Sequence, residues 1–201
     1  LEDLENTDPK LIKEMRNFYF DQIESYKKNK NKKITIDKMP LNLVHVGEIL
    51  RFFPNAKFIL ALRHPYDCVL SCFMQNFMLN HAMANFLNLD DTLKLYDLTM
   101  SLWKRYTNVF TIDHHLIRYE DVVSNFKKTL GNILKFLNVK WSDNVIEFYK
   151  TAEKRGIINT PSYNQVSQPI YSNSMYRWKN YEKEFAKSNI SLENWVKEFN
   201  Y

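Results

Sequence analysis

An arginine and a serine eight positions apart are the strongest candidates for chemistry in this sequence. Arg63 follows the apolar run 57–62, and Pro65 opens a helix-like stretch that carries Asp67 and Ser71. A guanidinium is a planar fork suited to phosphate, and the free N–H groups at a helix start attract anions. The junction is therefore a candidate phosphate site. The alternative is that Arg63 pairs with Asp67 or a neighbouring carbonyl while Ser71 bonds within its own helix.

Two further segments place an aromatic or a basic residue at the end of a predicted strand. Tyr119 lies in Arg118-Tyr-Glu-Asp121, and Lys38 lies in Asp37-Lys-Met-Pro40. A tyrosine at a strand end can stack on a base, although a packed ring with a satisfied hydroxyl is the alternative. A lone lysine is usually solvated. Since ligands of open parallel sheets bind beyond the carboxyl ends of strands, we expect these residues at one rim with Arg63. His64 is a further possible ligand contact.

Glycine usage excludes two common phosphate loops. The three glycines, Gly47, Gly131 and Gly156, stand too far apart for G-x-G-x-x-G or G-x-x-x-x-G-K-[ST]. Any phosphate site in these residues must use side chains and a helix start.

Composition limits the class of protein. The chain has 201 residues, 45% of them apolar, which excludes overall disorder and fits one domain, residues 1–201. A net charge of +5 includes five lysines in residues 27–33, a run that predicts a solvated loop or an anionic partner. The aromatic residues do not alternate with this run, so we expect no nucleic-acid partner. The longest strongly apolar run, Phe58 to Leu62, is too short to span a membrane.

Cysteine and histidine usage predicts no metal. Cys68 and Cys72 lie one helical turn apart, where we expect reduced core thiols rather than a disulfide framework, and we favour a cytoplasmic location. The five histidines lack ligand spacing.

Alternating patterns indicate the α/β class, with a parallel sheet flanked by helices. The patterns predict strands at 33–37, 57–62 and 110–118, and an ordered loop at 159–174. They predict helices at 1–26, 43–53, 65–77, 91–106, 119–137, 141–151, 176–185 and 191–199.

Three segments resemble the sulfotransferases that use 3′-phosphoadenosine 5′-phosphosulfate. Residues 53–67 with Ser71 and Gln75 resemble their 3′-phosphate motif, and residues 118–121 resemble their Arg-Tyr-Glu-Asp segment. Residues 160–171, with Arg177-Trp178 beyond them, look like the C-terminal segment of the bacterial and tyrosylprotein members. The resemblance runs from about residue 34 to 181, and implies a P-loop-NTPase-like fold.

The resemblance also implies roles for particular residues. Arg63 and Ser71 would hold the 3′-phosphate, and Tyr119 would pack against the adenine. Ser162 and Arg177 would close over the nucleotide from the C-terminal loop. Lys38 matches the lysine of the family's Lys-x-Pro turn, where it would stabilise negative charge developing during transfer.

One part of the family pattern is missing from these residues. The family's first strand and its Pro-x-Ser-Gly-Thr loop, which grips the 5′-phosphosulfate, have no counterpart, since no glycine precedes Gly47. We therefore expect the 201 residues alone to be inactive or nearly so, and the parent protein to sulfate a hydroxyl acceptor such as protein tyrosine, a glycan or a small alcohol. The alternative is a module that binds adenosine 3′,5′-diphosphate without catalysis.

Overall fold

A computed structural model describes residues 6–26, 34–150 and 170–201. Its α-helices are α1 (Pro9–Tyr26), α2 (Val46–Phe52), α3 (Pro65–Phe73), α4 (Leu89–Val109), α5 (Tyr119–Ser124), α6 (Phe126–Phe136), α7 (Glu182–Phe185) and α8 (Glu193–Glu198). The strands are β1 (Phe58–Leu62) and β2 (His114–Arg118). Short 3-10 helices cover Pro40–His45, Met83–Leu87, Asp143–Val145 and Arg177–Tyr181.

The two strands form a parallel sheet, as the alternation of patterns predicted. Phe58 pairs with His114 and Leu62 pairs with Arg118, so the strands end level with each other. The connection between them carries α3 and α4, as a parallel pairing requires. Leu60 and Leu62 alternate with more exposed neighbours and are buried. The α/β prediction with a parallel sheet and flanking helices is thus confirmed.

The chain divides into two compact units. Unit 1 comprises residues 1–57 and 101–113. Within it, Arg16 Nε donates to the Phe52 carbonyl at 2.7 Å and Tyr106 Oη donates to the Val44 carbonyl at 2.9 Å. Gly47 packs against Tyr106: a Cβ there would stand 3.1 Å from the ring, which would have to shift by a few tenths of an ångström.

Unit 2 comprises residues 58–100 and 114–201 and contains both strands. Its core includes Val69 of α3 and Leu93 of α4, both almost fully buried. Trp195 Nε1 donates to Asp97 Oδ1 at 2.7 Å, which ties α8 to α4. Whether the two units act as the single domain expected from the sequence stays a prediction.

Most predicted helices are present with shifted ends. Asp8 caps α1, since its Oδ1 accepts from the Lys10 N–H at 2.8 Å. The region 119–137 is helical but breaks at Asn125, whose non-helical backbone (φ −147°, ψ 64°) separates α5 from α6. Helix α4 runs on to Val109, so β2 begins at His114 instead of residue 110.

Two sequence predictions are wrong in the described residues. Residues 34–37 carry no strand, because the short β-branched run lacks a neighbouring strand to pair with. The helix predicted at 141–151 is wrong only in its first part: residues 148–150 are helical, whereas residues 141–147 form only the 3-10 turn Asp143–Val145. Trp141 Nε1 donates to Asp143 Oδ1 at 2.9 Å there. A side chain that satisfies a neighbour in this way favours a turn over a continuous helix.

The described residues bear on two predicted absences. Within 6–26, 34–150 and 170–201, no helix combines the length and apolar character needed to cross a membrane. The same residues contain no cluster of three or more side chains able to hold a metal ion.

Cys68 and Cys72 are free and half-buried on α3, so they are less enclosed than core thiols would be.

Candidate functional site

The sheet register places Arg63 beside Tyr119. Leu62 and Arg118 are paired, so the next residue of each chain segment leaves the sheet at the same edge. The Arg63 guanidinium carbon lies 5.6 Å from the centroid of the Tyr119 ring. Helix α3 starts two residues after Arg63, with Pro65 in its first turn. A cation, an aromatic face and a helix start therefore meet at the carboxyl edge of the strands, as the sequence predicted.

The guanidinium of Arg63 is only partly engaged by protein groups. Its Nη2 donates to the backbone carbonyl of Ser174. Its Nε is buried and has no hydrogen-bond partner in the part of the chain that is described. A buried donor without an acceptor is costly, and an anionic oxygen would satisfy it. The residues present thus fit a phosphate group, although the carbonyl pairing offered as the alternative is the contact observed.

Asp67 does not take the partner suggested for it. Its Oδ1 accepts from the Trp178 N–H at 2.8 Å, a bond that spans 111 positions of the chain. The Asp67 side chain is fully buried. It therefore fixes the segment that begins with Arg177, and its Oδ1 is committed to this backbone donor.

Tyr119 has the satisfied hydroxyl of a packed tyrosine, and its packing against an adenine stays a prediction. Its hydroxyl donates to the Tyr171 carbonyl at 2.8 Å, so the group is satisfied as in an ordinary packed tyrosine. Burial raises the pKa of this hydroxyl, which keeps it neutral and able to donate. The ring is half-buried, with the Arg63 guanidinium over it.

Ser71 and Arg177 lie on elements that adjoin these groups. Ser71 is exposed on α3, one turn beyond Asp67. Arg177 is exposed at the start of the 3-10 turn that Asp67 anchors through Trp178. Their contact with a phosphate stays a prediction, and Ser162 lies outside the described residues.

Lys38 belongs to unit 1 and is exposed. Its neighbour Asp37 accepts from Tyr19 Oη at 2.9 Å, which ties this stretch to α1. Burial and the adjacent Asp37 carboxylate raise the pKa of Tyr19 to about 12. The catalytic role of Lys38 stays a prediction.

His64 is a packed residue and not an open ligand contact. Its ring is 5% exposed and stacks on the Trp178 ring, with centroids 5.1 Å apart and an interplanar angle of 15°. The Tyr66 and Tyr201 rings lie 6.1 and 5.2 Å away. Burial lowers the pKa of His64, so the neutral imidazole is favoured. This aromatic cluster was not predicted, because its members are far apart in sequence.

Unlike Arg63, Arg118 donates hydrogen bonds to protein groups from all three of its guanidinium nitrogens. Its Nε and Nη2 donate to the two carboxylate oxygens of Asp121, both at 2.8 Å. The pairing raises the pKa of Arg118 and lowers that of Asp121. Its Nη1 donates to backbone carbonyls at Phe199 and Asn200. The charge predicted at this strand end is thus used to hold the chain near residue 200.

The two thiols share the face of α3 near Arg63. The hydrogen bond between them raises the pKa of Cys68 and lowers that of Cys72, and the Arg63 charge also favours the Cys72 thiolate. They add polarisable groups to the surroundings of Arg63.

Comparison with known proteins supplies the family. Residues 2–143 match a protein-family model whose description is "Sulfotransferase family". The chain is 29% identical over 180 residues to an uncharacterised protein of Aquifex aeolicus, and 27% identical over 153 residues to protein-tyrosine sulfotransferase 1 of Danio rerio. These alignments cover 88% and 71% of the chain.

A solved structure supplies the fold. The sulfotransferase domain from the curacin biosynthetic pathway matches with a TM-score of 0.69 and 18% identity, covering 99% of this chain and 76% of that one. The chain spans only 23% of the Aquifex protein and 41% of the Danio protein. The family model nevertheless covers more than half of the 201 residues. The chain belongs to the sulfotransferase family.

Proposed function

We propose that these residues form the 3′-phosphate and adenine side of a site for 3′-phosphoadenosine 5′-phosphosulfate. The observation that carries the proposal is the Arg63 guanidinium, held over the Tyr119 ring at the start of α3 with its Nε lacking a partner among the described residues. A phosphate dianion would compete well for the guanidinium against the Ser174 carbonyl, because charge-assisted hydrogen bonds are the stronger kind.

The other assignments follow the resemblance. Ser71 would add a hydroxyl to the phosphate, and Ser162 and Arg177 would close over the nucleotide. Lys38 would stabilise the charge that develops as the sulfur–oxygen bond to the leaving phosphate breaks and the bond to the acceptor hydroxyl forms.

The protein that contains these residues would transfer a sulfuryl group to a hydroxyl. The relatives from Danio rerio and Gallus gallus are named protein-tyrosine sulfotransferases, which supports a protein tyrosine as the first acceptor to test. A glycan and a small alcohol are the further acceptors. We propose no metal in this reaction, since the side chains of Arg63, Arg177 and Lys38 would supply the positive charge.

Calorimetry with two nucleotides tests the binding proposal. Adenosine 3′,5′-diphosphate should bind the 201-residue chain, and adenosine 5′-monophosphate, which lacks the 3′-phosphate, should bind at least about tenfold more weakly. Arg63→Ala should remove most of this difference, and Arg63→Lys should restore part of it, because lysine keeps the charge but loses the fork.

Arg105→Ala is the matched control, since Arg105 is an exposed arginine on α4 of unit 1. Equal affinity for the two nucleotides in the wild-type chain would contradict the proposal. So would an Arg63→Ala chain that discriminates between them as well as the wild type does.

A transfer assay separates catalysis from binding alone. With radiolabelled co-substrate and a tyrosine peptide, we expect the isolated chain to bind nucleotide but to transfer sulfate slowly or not at all. The reason is that these residues contain no Ser-Gly-Thr loop for the phosphosulfate. Turnover at ordinary enzymatic rates would refute this expectation.

A further inference from the structure

Two carboxyl groups are buried next to the candidate site, and each holds a backbone N–H of another element. Asp67 is fully buried and accepts from Trp178, as described above. Glu120 is 5% exposed, and its Oε1 accepts from the His64 N–H at 3.0 Å. Carboxylates are rarely enclosed to this degree unless their hydrogen bonds serve the structure.

The His64 N–H is the last backbone donor before Pro65 in the turn after β1. It follows Arg63 directly, and the next residue, Pro65, has no N–H to donate. His64 occupies the position before α3, with φ −41° and ψ 125°, so its own conformation is not helical. The bond to Glu120 thus fixes the backbone between Arg63 and the helix start.

Glu120 also adjoins the second component of the site. It is the second residue of α5, immediately after Tyr119. Its side chain therefore connects the segment that carries the Tyr119 ring to the segment that carries the Arg63 guanidinium. These are the two groups that meet at 5.6 Å.

Two tyrosines lie near this buried carboxylate. Burial raises the pKa of both Tyr96 and Tyr201. The Glu120 charge adds to the shift of Tyr201, and Cys68 and then Glu120 add to that of Tyr96. Neither hydroxyl, nor Glu120 Oε2, completes a hydrogen bond within the described part of the chain. Among the described residues, the bond from the His64 N–H to Oε1 is the hydrogen bond that links the Glu120 side chain to the turn after β1.

We propose that Glu120 is a positioning residue for the anion site, setting the distance between Arg63 and Tyr119 through its bond to the His64 N–H. The inference rests on the proposed function. The relevant property is the reach of an acceptor oxygen and not its charge. The variants can therefore separate an effect of the acceptor's reach from an effect of its charge.

Binding of adenosine 3′,5′-diphosphate is measured by calorimetry for four variants, with thermal unfolding as a check on folding. Glu120→Gln keeps the acceptor at the same reach, so its affinity should stay within about threefold of wild type. Glu120→Ala removes the acceptor, and Glu120→Asp withdraws it by one methylene. Both should bind roughly tenfold more weakly. Glu147→Ala is the matched control, since Glu147 is an exposed glutamate paired with Lys150.

Hydrogen–deuterium exchange of the His64 amide reports the bond without any nucleotide. Protection should be lost in Glu120→Ala and Glu120→Asp and kept in Glu120→Gln. If Glu120→Ala does not fold, the comparison of Glu120→Asp with Glu120→Gln decides the question. Wild-type affinity in Glu120→Asp, or a tenfold loss in Glu120→Gln, would overturn the inference. A wild-type chain that binds no nucleotide would instead overturn the proposed function, which keeps the two failures distinct.

Discussion

Arg63 and Arg118 end neighbouring strands, yet their guanidinium groups serve different purposes. Arg118 has a bidentate carboxylate partner and two backbone carbonyls, which leaves little of its fork for a ligand. Arg63 has one carbonyl, one ring face and a buried Nε without a partner among the described residues. Residue type alone does not distinguish the two arginines. Their hydrogen-bond partners do, and they support the proposal that Arg63 rather than Arg118 binds the ligand.

The buried His64 ring predicts a pH dependence of stability. Burial holds its pKa below the ordinary 6.5, whereas the unfolded chain takes up the proton near that value. As the pH falls through 6.5 the unfolded state binds more protons, so stability is fully present above this pH and is lost below it. We expect the free energy of unfolding in urea to fall between about pH 7.5 and 5.5.

His64→Phe should flatten this profile, because phenylalanine keeps a ring against Trp178 but cannot take up a proton. His81→Gln is the control, since His81 is exposed, and it should leave the slope unchanged. A His64→Phe chain with the wild-type slope would show that other groups cause the pH dependence.

At the level of elements, α4 offers two leucines in different environments. Leu93 is fully buried in the core of unit 2, and Leu98, also in unit 2, is 55% exposed. Leu93→Ala should lower the free energy of unfolding by about 3 kcal/mol, because it removes buried methyl groups and leaves a cavity. Leu98→Ala should change it by less than about 1 kcal/mol.

The pair is informative because both substitutions have the same effect on helix propensity. Urea denaturation of the two variants therefore compares the free-energy cost of truncating a buried leucine with that of truncating an exposed one. Equal losses would contradict the packing of α4 described here.

The elements that the sequence predicted well are those with strong local signals. Strand β1 was indicated by an uninterrupted apolar run between charged residues, and α3 by Pro65 followed by periodic apolar positions. The β-branched run at 34–37 gave an equally strong local signal but has no strand, since pairing depends on a neighbour that the local pattern does not reveal.

At the level of the whole molecule, the candidate site was predicted in part. The meeting of Arg63 and Tyr119 follows from two motifs and a parallel register. The carbonyls of Ser174 and Tyr171 that bind them were not predictable, because a backbone carbonyl carries no residue signature and these lie 111 and 52 positions away. Glu120 was recognised as part of a motif, but only the structure shows that it is buried and accepts a hydrogen bond from the His64 N–H.

The net charge of +5 raises the question of whether anions bind here through specific contacts or through general attraction. Lys28→Glu combined with Lys30→Glu would lower the formal charge by four, from +5 to +1. The attraction of an anion by net charge is screened over about 8 Å at physiological salt. A site built on Arg63 should therefore keep its affinity for adenosine 3′,5′-diphosphate within about threefold in the double variant.

Calorimetry at two salt concentrations measures this affinity, and fluorescence anisotropy with a labelled DNA duplex serves as the comparison. Weak DNA binding should fall steeply with salt and weaken further in the double variant. If the double variant instead loses nucleotide affinity as strongly as Arg63→Ala, anion binding is a property of the lysine run and the site at the strand ends is wrong.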